Sequence, residues 1–290
     1  MSSPSEVVTV TPALLRAWGL PEPGASKNSR GRLVVVGGSA TSPGAVVLAG
    51  EAALRVGAGK VGIATAADAA VAVRTSFLEA GIHEIGADGT LAGSGVDALA
   101  AADAVLVGPG LDGPVVAHTR LGLLRGDTSA CAVLDAFAIG ILPDVDRADL
   151  PETLILNMNL DEAAVLLGRD VDEPLADAAA LAARFDAVVH CYEAVATPDG
   201  RVWRVAAGGA GLGTAGSGDV LAGAIAGFAA RGMSPERAAV WGAWSHGRSG
   251  DRLTARTGHG FLARELAAEL PHSVREVVPE SASDAEDGDG

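Results

Sequence analysis

The chain has 290 residues, with 36 Asp and Glu against 21 Lys and Arg, a formal net charge of -15 at pH 7 and a hydrophobic content of 49%. The acidic balance excludes a nucleic-acid partner, which would need a basic face for its phosphate contacts, and the hydrophobic content excludes a disordered chain. No apolar run approaches the roughly 18 to 20 residues of a membrane helix, and the start "MSSPSEVVTVTP" lacks the basic-then-apolar layout of a signal peptide, so a cytoplasmic protein with no membrane contact is expected.

Residues 1–30 are expected to be a lead-in before the first strand, residues 31–276 a single catalytic domain, and residues 277–290 an acidic disordered tail. Within that tail the run from Pro279 carries five carboxylates and no cation. Short β-branched runs follow the lead-in: "LVVV" (33–36), "VGIAT" (61–65), "AVLV" (104–107), "CAVL" (131–134), "TLIL" (153–156) and "AVVH" (187–190). Alanine-rich helical stretches separate them. Continuous apolar strands with intervals of crossover length predict a mostly parallel sheet buried on both faces, an α/β fold. "VATPDGRVWRV" reads differently, as a small β-hairpin near the sheet edge, turning at Pro198-Asp199-Gly200. After Gly218 the chain reads as helices over "DVLAGAIAGFAARG", "SPERAAVWGAWSHGRSGDRL" and "FLARELAAELP", with Ser234 as N-cap and Pro235 at N1 of the second. Cys131 and Cys191 sit in apolar runs without CxxC spacing and read as buried free thiols.

Three glycine-rich segments bear on function. "GAGKVG" (57–62) matches GxGxxG, but it ends a helix and enters a strand, so it reads as a tight turn; Val61 after Lys60 excludes a Walker A loop. "VVVGGSATSPGAVVLAG" is strand, glycine turn and helix, which places Gly38, Ser39, Pro43 and Gly44 at the C-terminal edge of the sheet, either as a ligand loop or as a turn required by packing. In "GLGTAGSGDVLAGAIAG" (211–227), Gly216, Ser217 and Gly218 precede a helix expected to begin at Asp219. Amides at a helix start suit a terminal phosphate, and a carboxylate beside it can take a proton from an attacking hydroxyl. Local chemistry equally allows Asp219 to stabilise the first turn, with Ser217 helping to cap it.

"GTAGSGDVLAG" resembles the signature of the ribokinase-like superfamily, and its surroundings resemble one branch, the ADP- or ATP-dependent NAD(P)H-hydrate dehydratases. "KNSRGRLVVVGGS" (27–39), "VLVGPGLDG" (105–113), "VLDAFA" (133–138), "LDEAAVLLG" (160–168) and "WSHGRSGDRL" (244–253) fall in the order of that branch. The resemblance implies a three-layer α/β/α fold and the dehydration of (S)-NADH or NADPH hydrate with ADP or ATP and Mg²⁺. In that chemistry a phosphoryl group goes to the hydrate hydroxyl and leaves as phosphate. It further implies Asp219 as the base and Thr214, Gly216, Ser217, Gly218 and His246 around the nucleotide. The hydrated dinucleotide would meet Gly38, Ser39, Pro43, Gly44, Gly108, Gly110, Asp135 and Glu162. No dedicated protein metal site is implied, Mg²⁺ being carried by phosphate oxygens. A homo-oligomer and a separate epimerase in the same pathway belong to the same expectation. His246 reads equally as a core histidine, and Asp135 and Glu162 as supporting residues.

The chain departs from the branch at named positions. "NMNLDE" (157–162) has Asn159 where a histidine is usual and keeps only the glutamate. No lysine stands near "HCY" (190–192), Phe137 replaces a second aspartate, and Ser42 stands where the loop often has an aromatic residue. A protonated His190 would be the substitute cation. Two alternatives follow: a small-molecule kinase of the same superfamily, and a nucleotide-binding paralogue without turnover.

Overall fold

The computed structural model describes residues 7–91, 93–124 and 130–278. Ten strands form one sheet: β1 Val7–Thr9, β2 Arg32–Val36, β3 Lys60–Ala66, β4 Gly81–Ile85, β5 Ala104–Val107, β6 Cys131–Leu134, β7 Leu154–Met158, β8 Val188–Cys191, β9 Ala194–Ala196 and β10 Val202–Arg204. Their order is β1-β10-β9-β8-β7-β6-β5-β2-β3-β4, parallel throughout except where β9 pairs with β8 and β10. All six expected strands are present within two residues of their sequence bounds, and the hairpin is β9–β10.

Alternating side chains of the central strands feed two cores. Leu33, Val35, Ala104 and Leu106 enter one, and Val34, Val36, Val105 and Val107 the other. Six helices cover the first: α1 Pro12–Trp18, α2 Gly44–Arg55, α3 Ala67–Ser76, α9 Ser217–Ala230, α10 Pro235–Thr257 and α11 Ala263–Val277. The second lies under α4 Ser94–Ala100, α5 Pro114–Leu121, α6 Phe137–Gly140, α7 Leu160–Leu167 and α8 Pro174–Phe185. A sheet apolar on both faces requires this double cover, and the result is the expected three-layer α/β/α arrangement.

Four sequence expectations are corrected. The first strand is β1, inside the lead-in, where it extends the sheet by pairing with β10. An unexpected strand, β4, forms the other edge; its polar His83 and Glu84 hide it from an apolar-run search. Helix α11 continues through Pro271 to Val277, which is fully buried, so residue 277 belongs to the folded body. The run from Pro279 lies outside the described residues. Helix α9 starts at Ser217, two residues before Asp219. Pro235 opens α10 behind Ser234, but the Ser234 side chain makes no capping bond. Both cysteines are buried and unpaired in disulfides, and burial pushes each thiol up to about 12.

The helix pair that joins the two glycine-rich loops is unusually close. A Cβ at Gly223 of α9 would meet the Ala49 backbone of α2, and one at Gly227 would fall 2.7 Å from the Ala53 Cα. Glycine four residues apart on α9 therefore faces alanine four residues apart on α2, and the backbones touch. Gly223→Ala is expected to cost about 1–3 kcal/mol, because the backbone partner cannot swing aside as a side chain would. A urea unfolding midpoint equal to that of the wild type would contradict this.

Candidate functional site

The first turn of α9 is set by Gly216, whose φ of 87° is left-handed. A Cβ there would meet Leu48 and Ala263, so both conformation and space demand glycine. The Ser217 amide closes a turn onto the Thr214 carbonyl at 3.1 Å. The amides of Gly218 and Asp219 have no hydrogen-bond partner among the described residues and lie at the positive end of a 14-residue helix. Ser217 does not cap the helix. Its hydroxyl lies 3.0 Å from His246 Nε2, and the same nitrogen lies 3.0 Å from the Ser217 carbonyl oxygen. A carbonyl only accepts, so Nε2 carries the proton, and burial holds His246 down at about 4, neutral. From α10, His246 thus clamps the start of α9. Asp219 follows half-buried, with no hydrogen bond to another described residue, and burial pushes its carboxyl up to about 6.

Parallel register brings a second group to the same place. Leu134 pairs with Leu156 and Asn157 with His190, so Asp135, Asn157 and His190 stand side by side at the C-terminal ends of β6, β7 and β8. Asn157 Nδ2 donates to Asp135 Oδ1 at 2.7 Å, and Asn157 Oδ1 accepts from His190 Nδ1 at 2.7 Å. Burial, then the Glu162 and Asp219 charges, hold the Asp135 carboxyl well above the usual carboxylate range against the Asn157 hydrogen bond. Burial pushes His190 down to about 4. His190 is therefore a neutral bridge partner, and the substitute cation expected of it is ruled out by the cost of charging a fully enclosed imidazole. Asn159 caps α7: its Oδ1 accepts from the Glu162 amide at 2.8 Å while Glu162 Oε2 accepts from the Asn159 amide at 2.9 Å. Glu162 is raised, mainly by burial, despite that bond.

These groups line one cleft of about 1020 Å³. Thr214, Gly216, Ser217, Gly218, Asp219 and His246 are all on its wall, as are Asp135 and Glu162. Its lining contains five carboxylates and neither lysine nor arginine. Among the described residues no three His, Cys, Asp or Glu side chains are grouped to hold a metal ion, and no helix is long and apolar enough to cross a membrane.

The other expected residues form an adjoining ledge outside this cleft lining. Gly38 donates to the Pro109 carbonyl at 2.8 Å, Gly110 packs against Ser42 and Ala45, and a Cβ on Gly108 would strike the Asp135 backbone. Ser39 Oγ lies 3.1 Å from Thr41 Oγ1 and accepts from the Ser42 amide, while Pro43 and Gly44 begin α2. The ledge thus abuts the cleft through Gly108 and Asp135. Sequence reasoning missed Asn157, Tyr192 and the 205–210 loop as cleft residues. A lone polar residue in the apolar strand "LILNM" was the available signal for Asn157.

Residues 33–272 match the family model described as NAD(P)H-hydrate dehydratase. An ADP-dependent (S)-NAD(P)H-hydrate dehydratase from Xanthomonas campestris is 45% identical over 281 residues, covering 91% of this chain and 95% of that one. The bifunctional NAD(P)H-hydrate repair enzyme Nnr of Moorella thermoacetica is 34% identical over 88% of this chain; the chain spans 51% of that longer relative. Among solved structures, the ADP/ATP-dependent NAD(P)H-hydrate dehydratase from Bacillus subtilis, co-crystallized with ATP and Mg²⁺, superposes with a TM-score of 0.78 at 26% identity, covering 93% of this chain and 99% of that one.

Proposed function

Because this chain belongs to the NAD(P)H-hydrate dehydratase family, we propose that it regenerates NAD(P)H from (S)-NAD(P)H hydrate at the expense of ADP or ATP. The observation that carries the reading is the juxtaposition of Asp219 with two unpaired amides at the start of α9 on the cleft wall. Those amides and the helix dipole fit a terminal phosphate. A lining without lysine or arginine fits a nucleotide that enters with Mg²⁺ on its own phosphate oxygens rather than one neutralised by the protein.

When bound, the nucleotide supplies the phosphoryl group that makes the hydrate hydroxyl a leaving group. Asp219, ionised above about 6, takes the proton of that hydroxyl. The Gly218 and Asp219 amides hold the charge on the transferred group, and neutral His246 keeps the turn that aims them. The ledge of Gly38, Ser39, Pro43, Gly44, Gly108 and Gly110 receives the hydrated dinucleotide beside Asp135. Glu162, the capping-box partner of Asn159 at the start of α7, forms part of the cleft wall. The same reading places the protein in the cytoplasm as a homo-oligomer, with a separate epimerase supplying the (S) form.

The test incubates purified protein with NADH hydrate or NADPH hydrate, Mg²⁺ and either ADP or ATP, and follows the absorbance of reduced nicotinamide. Recovery that depends on one nucleotide is expected. A stable phosphate ester in place of reduced nicotinamide would identify a small-molecule kinase, and no turnover by folded protein would identify a binding paralogue.

A further inference from the structure

Tyr192 is the chain's single tyrosine, and it occupies a backbone conformation that disfavours it. Cys191 pairs with Ala194, so Tyr192 and Glu193 alone connect β8 to β9. Among the described residues, positive φ outside glycine occurs at Ala136, Asp186 and Tyr192, the last at 55°. Positive φ at the first central residue and not the second is the type II′ pattern, where glycine is the residue without steric cost. The ring gains nothing locally in return: it is 66% exposed, and neither its hydroxyl nor its face has a partner among the described residues. Yet it lines the cleft. Strain retained at a ligand-facing position points to the ligand.

Topology says which part of the ligand. Helix α9 packs over β5 and β6, which places the unpaired amides there, and the ledge lies farther out on β2 and β5. Tyr192 lies in the opposite direction at the β8–β9 turn, two to three strand spacings from β6, about 10–15 Å. A nucleotide whose terminal phosphate sits on the Gly218 and Asp219 amides therefore extends its base along the cleft toward Tyr192, away from the dinucleotide ledge. We propose that Tyr192 stacks on the adenine ring of the bound nucleotide and is the residue that selects a nucleotide over smaller phosphates. This rests on the reading of the cleft as the nucleotide site.

The experiment compares wild type, Tyr192→Phe and Tyr192→Gly by calorimetric titration with Mg²⁺-ADP, Mg²⁺-ATP and Mg²⁺-pyrophosphate, and by thermal unfolding. Tyr192→Phe is expected to bind each nucleotide like the wild type. Tyr192→Gly is expected to weaken ADP and ATP by roughly tenfold, to leave pyrophosphate unchanged, and to melt about 2 °C higher because the strained turn is relieved. A purely structural tyrosine would give the opposite sign in the melt. Unchanged ADP affinity in Tyr192→Gly, an equal loss for pyrophosphate, or a lower melting temperature would overturn the proposal. If both nucleotides bind with the expected Tyr192 dependence but no reduced nicotinamide is regenerated, the dehydratase reading fails and the stacking assignment stands. If wild type binds no adenine nucleotide, both fail.

Discussion

Asp219→Asn is expected to lower nucleotide-dependent turnover by about 10²–10⁴-fold, the range for removing a positioned general base, while the protein stays folded. Asparagine keeps the size of the side chain and the amides around it, so nucleotide binding should persist and the loss should fall on kcat. The wild-type kcat/KM is expected to rise with pH through about 6 and then level, since the ionised carboxylate is the active form and burial pushes its titration up to that value. An Asp219→Asn variant that retains turnover, or a wild-type profile flat across this range, would remove Asp219 from the base role.

The same shift makes a stability prediction of opposite sign. In the unfolded chain the carboxyl titrates at its ordinary 3.8, and in the fold at about 6. Between these values the folded protein holds a proton that the unfolded chain has lost, so stability falls as pH rises through the window and the penalty is complete above it. Asp219→Asn removes that penalty. At neutral pH the variant should be more stable than the wild type by on the order of 2 kcal/mol, an advantage that disappears below 3.8. Activity lost with stability gained is the signature of a group held at a cost for its chemistry.

The central strands were legible because each is an uninterrupted apolar run, which only a doubly covered sheet can bury. The edges were not. β1 is three exposed residues, and β4 carries His83 and Glu84, so neither has the pattern that marks the middle of the sheet. The glycine turn and Asp219 could be read from the sequence because helix-start chemistry is local. The start of α9 was misplaced because Ser217 spends its hydroxyl on His246, 29 residues away, which no local cap rule contains. Tyr192 was invisible for a related reason: its value depends on a turn type that two residues alone do not specify. Asp135 was noticed, but its partners lie 22 and 55 positions farther along, and only strand register brings them together.

That register supports the second large effect. Asn157→Leu keeps the branched outline of the side chain, at greater bulk, but removes both bonds of the bridge, taking the Asn157 donor from the Asp135 carboxyl, which keeps the Ala136 amide, and the acceptor from the buried His190 Nδ1–H. Each lost partner costs about 1–3 kcal/mol, so a loss of about 2–6 kcal/mol is expected, toward the lower end because Asp135 keeps the Ala136 amide, measured by urea unfolding at neutral pH. Acid should lower the stability of both proteins. His190 and His246 titrate at about 4 in the fold and at 6.5 when unfolded. The unfolded chain therefore binds more protons as pH falls through this interval, and stability declines with it. The bridge can be separated from simple packing by combining Asn157→Leu with His190→Leu. If Asn157 acts by satisfying His190, the double variant should be less destabilised than the sum of the singles, because the donor left without its acceptor is gone. Additive losses would mean that Asn157 stabilises the site through Asp135 alone, and an unchanged midpoint in Asn157→Leu would mean that the bridge carries no stability.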